Sequence, residues 1–212
     1  MMKKAQLMEH IQTRLGDRLT MVSLIDCVTV ELAADQLLGV CEDLRNHEAY
    51  AFDTLIDICG VDFSDYGRSY WRQGAKTTTG YSRATTEQGE SVVDWERPRY
   101  AVVYHLLSVE HNHRVRLKVY LEPEPSIASV IDLWPSANWY EREAFDLFGI
   151  FFEGHPDLRR ILTDYGFKGH PLRKDFPLIG EVEMRYDAQR EACVYEPVSI
   201  QPRVLVPKVI RR

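Results

Sequence analysis

No apolar run in the 212-residue sequence approaches the roughly 20 residues that a membrane-spanning helix requires; the longest, such as residues 102–107, are of strand length. Basic residues are not in excess either. There are 26 Lys and Arg against 32 Asp and Glu, a net charge of −6, so the positive stripe that neutralises nucleic-acid phosphates is missing. Cys27, Cys41, Cys59 and Cys193 are scattered with no Cys-x-x-Cys pair, which argues against a disulfide framework, a zinc site or an iron–sulfur site and leaves four ordinary reduced thiols. Residues 1–10 lack the apolar stretch and small-residue cleavage site of a secretory leader, so the chain is expected to stay in the compartment where it is made. Gly-x-Gly-x-x-Gly, Walker, Gly-x-Ser-x-Gly and His-Glu-x-x-His motifs are all missing, and with them the common handles for dinucleotides, phosphates, a serine nucleophile and catalytic zinc. What is present is 45% apolar residues, enough for the core of one compact domain plus an appendage, or of two small domains.

Periodicity assigns the elements. Leu7, Met8, Ile11 and Leu15 share one helical face and Gly16 follows as a C-cap, which predicts a helix over residues 4–15. Val22 and Leu24, then Val28, Val30 and Leu32, alternate on either side of residues 25–27 and predict two short antiparallel strands. Ala34, Leu37, Leu38, Cys41 and Leu44 return to helical spacing up to Asn46. Residues 52–61, 100–108 and 113–121 read as strands. In the last, Val115, Leu117, Val119 and Leu121 alternate with Arg114, Arg116, Lys118 and Tyr120, so one face is buried and the other wet. Residues 1–135 are therefore expected to form an α+β domain, a mainly antiparallel sheet with helices packed on one face. Within it, residues 64–97 are rich in Gly, Ser and Thr, follow neither period, and are read as a long surface loop or insertion anchored by Trp71 and Trp95.

After Leu121 the character changes. Glu122-Pro123-Glu124-Pro125 breaks the strand, Ser126 is expected to cap a short helix to Leu133, and Pro135 stops it. Ser136 then reads as the N-cap of a helix occupying residues 136–149, with Tyr140, Ala144, Leu147 and Phe148 on one side, Arg142, Glu143 and Asp146 on the other, and Gly149 as its end. Residues 150–212 lack periodicity and carry prolines at 156, 171, 177, 197, 202 and 207, which predicts a long extended C-terminal strap. From Val198 onward there are Arg203, Lys208, Arg211 and Arg212 and no acid, and the strap is rich in aromatics, as expected of a segment that wraps a partner.

Catalytic arrangements are weakly represented. Glu143 and Asp146 stand three apart on the predicted helix, and a free-standing hydrolase built on them is one reading. Arg142, four residues before Asp146, makes a salt-bridged face the simpler account. His111 and His113 flank a turn without a third ligand at a recognisable distance, and His155 and His170, each before proline, read as turn residues.

Three tracts carry a family resemblance. Trp134-Pro135-Ser136-Ala137-Asn138-Trp139-Tyr140-Glu141-Arg142-Glu143-Ala144-Phe145-Asp146-Leu147-Phe148-Gly149-Ile150 closely resembles the signature of the family of NADH-quinone oxidoreductase C subunits, the 30 kDa subunit of respiratory complex I. It is followed in the family's order by residues 152–162, Phe-Glu-Gly-His-Pro-Asp-Leu-Arg-Arg-Ile-Leu, and 169–178, Gly-His-Pro-Leu-Arg-Lys-Asp-Phe-Pro-Leu. Upstream, residues 52–62 and 104–108 also look like the family, whereas residues 64–97 are longer than a member would be expected to have.

The resemblance implies a cofactor-free subunit in the hydrophilic arm of a proton-translocating NADH:quinone oxidoreductase, with FMN and iron–sulfur clusters in other subunits. It implies a place against the D subunit at the quinone site, contacts also with the B and I subunits, no nucleic acid, and membrane association only through the complex, on the cytoplasmic face of the bacterial inner membrane. On this reading Tyr140, Ala144, Leu147 and Phe148 pack inward. Glu141, Arg142, Glu143 and Asp146 form ion pairs at or near the interface, and Arg159, Arg160, Arg173 and Lys174, with His155 and Phe176, are the expected partner contacts. The equivalent subunit of a membrane-bound hydrogenase, or of a related complex of cyanobacterial or plastid type, fits the same motifs.

Overall fold

In the computed structural model, residues 4–24, 26–69, 72–73, 85–86, 91–92 and 95–200 are described. The elements run α1 (Lys4–Leu15), β1 (Met21–Leu24), β2 (Val28–Leu32), α2 (Leu37–Asn46), β3 (Thr54–Asp62), β4 (Arg68–Ser69), β5 (Arg72–Gln73), β6 (Thr85–Thr86), β7 (Ser91–Val92), β8 (Tyr100–Ser108) and β9 (His113–Leu121). They continue with β10 (Ser126–Ala128), α3 (Ala137–Phe148), β11 (Phe151–Glu153), β12 (Val182–Asp187) and β13 (Ala192–Pro197). Two compact units emerge, one from Met1–Phe63 with Arg97–Arg173 and the other from Ser64–Glu96 with Lys174–Arg212.

The first unit is built on a five-stranded sheet in the order β1-β2-β9-β8-β3, antiparallel throughout except for the parallel pair β2 and β9. Register explains its two faces. Val30, Leu117, Tyr104 and Ile58 stand in one cross-strand row, and Leu32, Val119, Val102 and Gly60 in the next. These rows are buried against Leu7, Ile11 and Leu15 of α1, Leu37, Val40, Cys41 and Leu44 of α2, and Ala137 and Ala144 of α3 in one continuous apolar core. Strict alternation on β9 and the spacing of four on α1 produce this directly, because periods of two and 3.6 each place one apolar stripe toward the core. Gly60 is small for a packing reason: a Cβ there would stand 2.6 Å from Phe148 Cδ2 of α3. The opposite face carries Glu31, Lys118, Arg116 and His105, with Arg97 bonded to Glu31 at 2.8 Å and Arg116 to Asp26 at 2.9 Å. The architecture is thus a mainly antiparallel α+β fold, and the predicted helices at 4–15 and 136–149 and strands at 52–61, 100–108 and 113–121 are present.

Four local expectations are corrected. Ser126 starts no helix; it opens β10, which pairs in parallel with β11, and its hydroxyl donates to the Glu153 carboxylate at 2.6 Å. Ser136 precedes α3 without a side-chain cap, while Gly149 ends that helix in the left-handed region at φ 73° as predicted. Residues 64–97 contain paired strands, β4 with β7 and β5 with β6, where a loop was expected. In that stretch the rings of Tyr66 and Trp95 lie 4.6 Å apart, and Trp71 lies outside the described residues. Finally, β12 and β13 form an antiparallel hairpin in what reads as an aperiodic strap; the terminal basic residues Arg203, Lys208, Arg211 and Arg212 lie outside the described residues.

Candidate functional site

Helix α3 organises the signature tract, and its two most buried charged side chains are acids. Glu141 and Asp146 are both 0% exposed, and Arg142 is 8% exposed. The sequence expectation placed Glu141, Arg142, Glu143 and Asp146 in ion pairs at or near an interface; Asp146 does pair, with Arg160 at 2.8 Å, and both buried acids find their hydrogen-bond donors inside the fold.

Glu141 holds the segment that precedes its own helix. Ser129 Oγ donates to Glu141 Oε2 at 2.6 Å and the Val130 N–H to Oε1 at 2.8 Å. Burial pushes the Glu141 carboxyl up to about 7, against the opposing pull of these two donors. Asp146 holds the segment that follows. Its Oδ2 accepts the N–H groups of Ile161 (3.1 Å), Leu162 (2.8 Å) and Thr163 (2.8 Å), and its Oδ1 accepts Arg160 Nη1 at 2.8 Å and the Thr163 hydroxyl. Burial acts to raise this carboxyl, but the donors from Thr163, Leu162 and Arg160 outweigh it and hold Asp146 well below the usual carboxylate range.

The C-terminal carbonyls of α3, which no helix can satisfy internally, are met by the same downstream segment. Gly149 N–H donates to the Phe145 carbonyl at 2.9 Å and Leu172 N–H to that of Leu147 at 3.1 Å. His170 Nδ1 meets the Asp146 carbonyl at 2.8 Å, which requires the proton on that nitrogen, and Arg173 Nε donates to the Phe148 carbonyl. A cation at a helix C-terminus also opposes the helix dipole favourably. Burial lowers the His170 pKa, the Asp146 carbonyl opposes that shift, and Arg173 and Arg160 add to it. Arg142 reaches across to the carbonyls of Arg159 (3.2 Å) and Arg160 (3.4 Å). Trp134 ties the front of the tract to the sheet domain through Nε1 to the Phe52 carbonyl at 3.2 Å.

The sequence-predicted residues therefore separate into two groups. Glu141, Arg142, Asp146, Arg160 and Arg173 are bonded within the chain and lace residues 129–130 and 159–173 to α3. His155 is half-buried with its ring against the Asn138 carbonyl at 3.4 Å. Glu143 and Lys174 are exposed, Phe176 is half-buried, and Arg159 is exposed and pairs with Asp157 at 3.0 Å. Sequence reasoning missed Ser129 and Thr163, and the donor N–H groups of residues 130 and 161–163 left no signal to find, because any residue type except proline supplies a backbone N–H. Chemically, the two carboxylates of Glu141 and Asp146 are occupied by donors of their own chain, so these two do not form an acid–base pair. Among the described residues no group of three or more His, Cys, Asp or Glu is placed to hold a metal. None of the described helices is long and apolar enough to cross a membrane.

Residues 30–182 match the family model described as respiratory-chain NADH dehydrogenase, 30 Kd subunit. The chain is 58% identical over its whole length to the NADH-quinone oxidoreductase C subunit of Coxiella burnetii (strain RSA 331 / Henzerling II), covering 94% of that protein. It is 52% identical, again over its whole length and 94% of the relative, to the corresponding C subunit of Legionella pneumophila (strain Corby). Among solved structures, the trypsin-resistant fragment (1-134) of Nqo5 aligns with a TM-score of 0.51 and 29% identity over 72% of this chain and 98% of that one. A chain of the membrane-bound sulfane sulfur reductase, an archaeal respiratory membrane complex, shares the fold alone, with a TM-score of 0.55 at 20% identity over 81% of this chain and 86% of that one. The match over residues 30–182 and the 58% identity along the whole chain make it a member of the respiratory-chain NADH dehydrogenase 30 kDa subunit family.

Proposed function

We propose that this protein is a cofactor-free subunit of the peripheral arm of a proton-translocating NADH:quinone oxidoreductase. It scaffolds the arm beside the quinone-site D subunit, while electrons pass from NADH through FMN and iron–sulfur centres in other subunits to quinone. The observation that carries this reading is the identity of 58% to an NADH-quinone oxidoreductase C subunit across the full chain. The site chemistry agrees: a signature tract whose two buried acids, Glu141 and Asp146, are saturated by internal donors is a structural spine, and the hydrolase reading built on Glu143 and Asp146 loses Asp146 as its general acid or base. The B and I subunits are the further proposed neighbours, and the chain reaches the cytoplasmic face of the bacterial inner membrane only through the complex. Contacts to these partners fall to the exposed Glu143, Arg159 and Lys174 and to the second unit, since Asp146, Arg160 and Arg173 are committed to α3. The likeness to an archaeal respiratory complex supports a shared fold with other arm types, but at 20% identity it does not favour their donors.

The test is removal and return of the chain. Membranes from cells lacking it are expected to lose NADH-driven quinone reduction, and a tagged full-length chain to restore it and co-purify with that activity. A chain truncated after Arg173, where the first unit ends, is expected to fold and to assemble poorly. The relative's trypsin-resistant fragment supports the expectation that the sheet unit stands by itself. Unchanged NADH oxidation in membranes without the chain would refute the proposal.

A further inference from the structure

The Tyr104 hydroxyl is buried and finds no hydrogen-bond partner among the described residues. Tyr104 stands on β8 between Ile58 of β3 and Leu117 of β9, and its side chain, 0% exposed, joins the core against α2 and α3. Folded proteins keep such orphan groups rare, because a buried hydroxyl gives up its bonds to water and gains none in exchange. Burial raises the phenol well above its ordinary pKa of 10.0, and two neighbouring titratable groups add to the shift, Cys41 from α2 and Glu141 from α3. Cys41 is itself fully buried, and burial with the charge of Glu42 keeps its thiol protonated.

Glu141 is the complementary case. An ionised carboxylate offers about four lone-pair sites. Here Ser129 Oγ occupies one at 2.6 Å and the Val130 N–H another at 2.8 Å. Ser129 Oγ also accepts the Ile131 N–H at 3.3 Å, so the hydroxyl is fixed in place. The other charged groups of the helix interior point elsewhere, Arg142 to the carbonyls of Arg159 and Arg160, and Asp146 to Arg160 and the N–H groups of residues 161–163. A buried carboxylate with acceptor capacity to spare therefore lies close to a phenol whose donor is unused. A neutral carboxyl demands less, since it carries no charge to solvate.

We infer that Tyr104 and Glu141 form a proton-operated latch between β8 and α3: the neutral carboxyl rests on Ser129 and Val130 alone, and loss of its proton to solvent draws in the Tyr104 hydroxyl as a further donor. The latch lies beneath the helix to which residues 129–130 and 159–173 are laced, so the grip of α3 on the sheet answers to pH. Burial pushes the Glu141 carboxyl up to about 7, which sets the change near neutrality, and a donor to the charged form pulls it back down. The device belongs to the chain alone and stands independently of the assembly.

Urea unfolding of the full-length chain and of Tyr104→Phe, at about pH 5 and about pH 9, tests it. At the lower pH Glu141 is protonated, and removing an unpaired hydroxyl is expected to leave the folding equilibrium unchanged or to raise it. At the higher pH the same substitution removes a donor to a charged group. The ratio of variant to wild-type folding constants is therefore expected to fall at least about tenfold between the two conditions, the equivalent of about one unit in the Glu141 pKa. Groups that titrate alike in both chains cancel from this ratio, and in a Glu141→Gln background its pH dependence is expected to vanish. A tyrosine with a merely structural role gives the same ratio at both pH values; constancy within about threefold would overturn the latch, as would a fall that persists with Glu141→Gln. If Tyr104→Phe does not fold, carbon NMR of the wild-type chain decides. The Tyr104 Cζ resonance is expected to shift with the same midpoint as the Glu141 Cδ resonance. A Tyr104 resonance that stays flat while Glu141 titrates would overturn the inference, and so would a Glu141 that keeps one protonation state throughout that range.

Discussion

Replacing Asp146 with Asn isolates the contribution of one carboxylate to the architecture behind α3. Asparagine is isosteric, so its single oxygen can still accept the N–H groups of residues 161–163, but its amide then faces Arg160 Nη1, which today meets Oδ1 at 2.8 Å. A buried ion pair that loses one partner typically costs about 3–5 kcal/mol. Here the lower figure applies, because the Arg160 side chain keeps 22% exposure and water can reach it. The loss is local. Residues 159–173 can lift from α3 while the sheet stays folded, so about 3 kcal/mol should appear as a rise of roughly 10² in the opening equilibrium. Amide hydrogen exchange reads this directly: Ile161, Leu162 and Thr163 are expected to exchange about a hundredfold faster in Asp146→Asn, with amides of β8 and β9 unchanged. The wild type should show the same release on acidification. Its Asp146 binds a proton less readily folded than unfolded, so the stabilisation is present above the ordinary aspartate value of about 3.9 and fades as pH falls below it. Exchange at residues 161–163 that stays within about threefold of wild type would refute the clamp.

Glu141 works with the opposite sign. Its folded pKa of about 7 lies above the ordinary 4.5, so the folded chain holds the proton more tightly and loses stability as pH rises from 4.5 to 7, by about 3 kcal/mol in all. Glu141→Gln, whose carbonyl can still accept from Val130 N–H, should flatten that part of the pH profile and be the more stable form at about pH 8; urea midpoints with parallel pH slopes for the two proteins would contradict this. Gly60→Ala places a methyl 2.6 Å from Phe148 Cδ2 and should destabilise by about 1–3 kcal/mol. Phe148→Leu in the same chain should recover part of that loss in a denaturant double-mutant cycle, and a neutral Gly60→Ala would show that α3 has room to shift.

The sheet was legible because its strands alternate and bury one face. Val115, Leu117, Val119 and Leu121 announce both the strand and its inner side. The same logic was silent on the burial of α3's polar side, since helical periodicity read from apolar residues has charged side chains facing water as its rule. Glu141 and Asp146 break that rule because their donors come from backbone that is distant in sequence, 11 to 17 residues away. Residues 126–133 failed for a related reason: Ser126 makes a good cap in isolation, but the register with Phe151–Glu153 turns it into a strand.

The hairpin is the more instructive miss. Val182, Met184 and Tyr186 alternate with Glu183, Arg185 and Asp187 as cleanly as anything in β9, and the prolines around them at 177 and 197 concealed it. In β9 alternation ends in burial, with Val115, Leu117 and Val119 at 1% exposure or less, whereas in β12 the equivalent residues stay more than half exposed. A pattern of period two specifies which residues share a face, and only the presence of a covering layer decides whether that face is core or contact surface. Helices α1, α2 and α3 supply the layer for the first unit. In β12–β13 the same period sorts Val182, Met184 and Tyr186 onto one face that stays more than half exposed, so alternation alone distinguishes the two faces of a ribbon without telling core from surface.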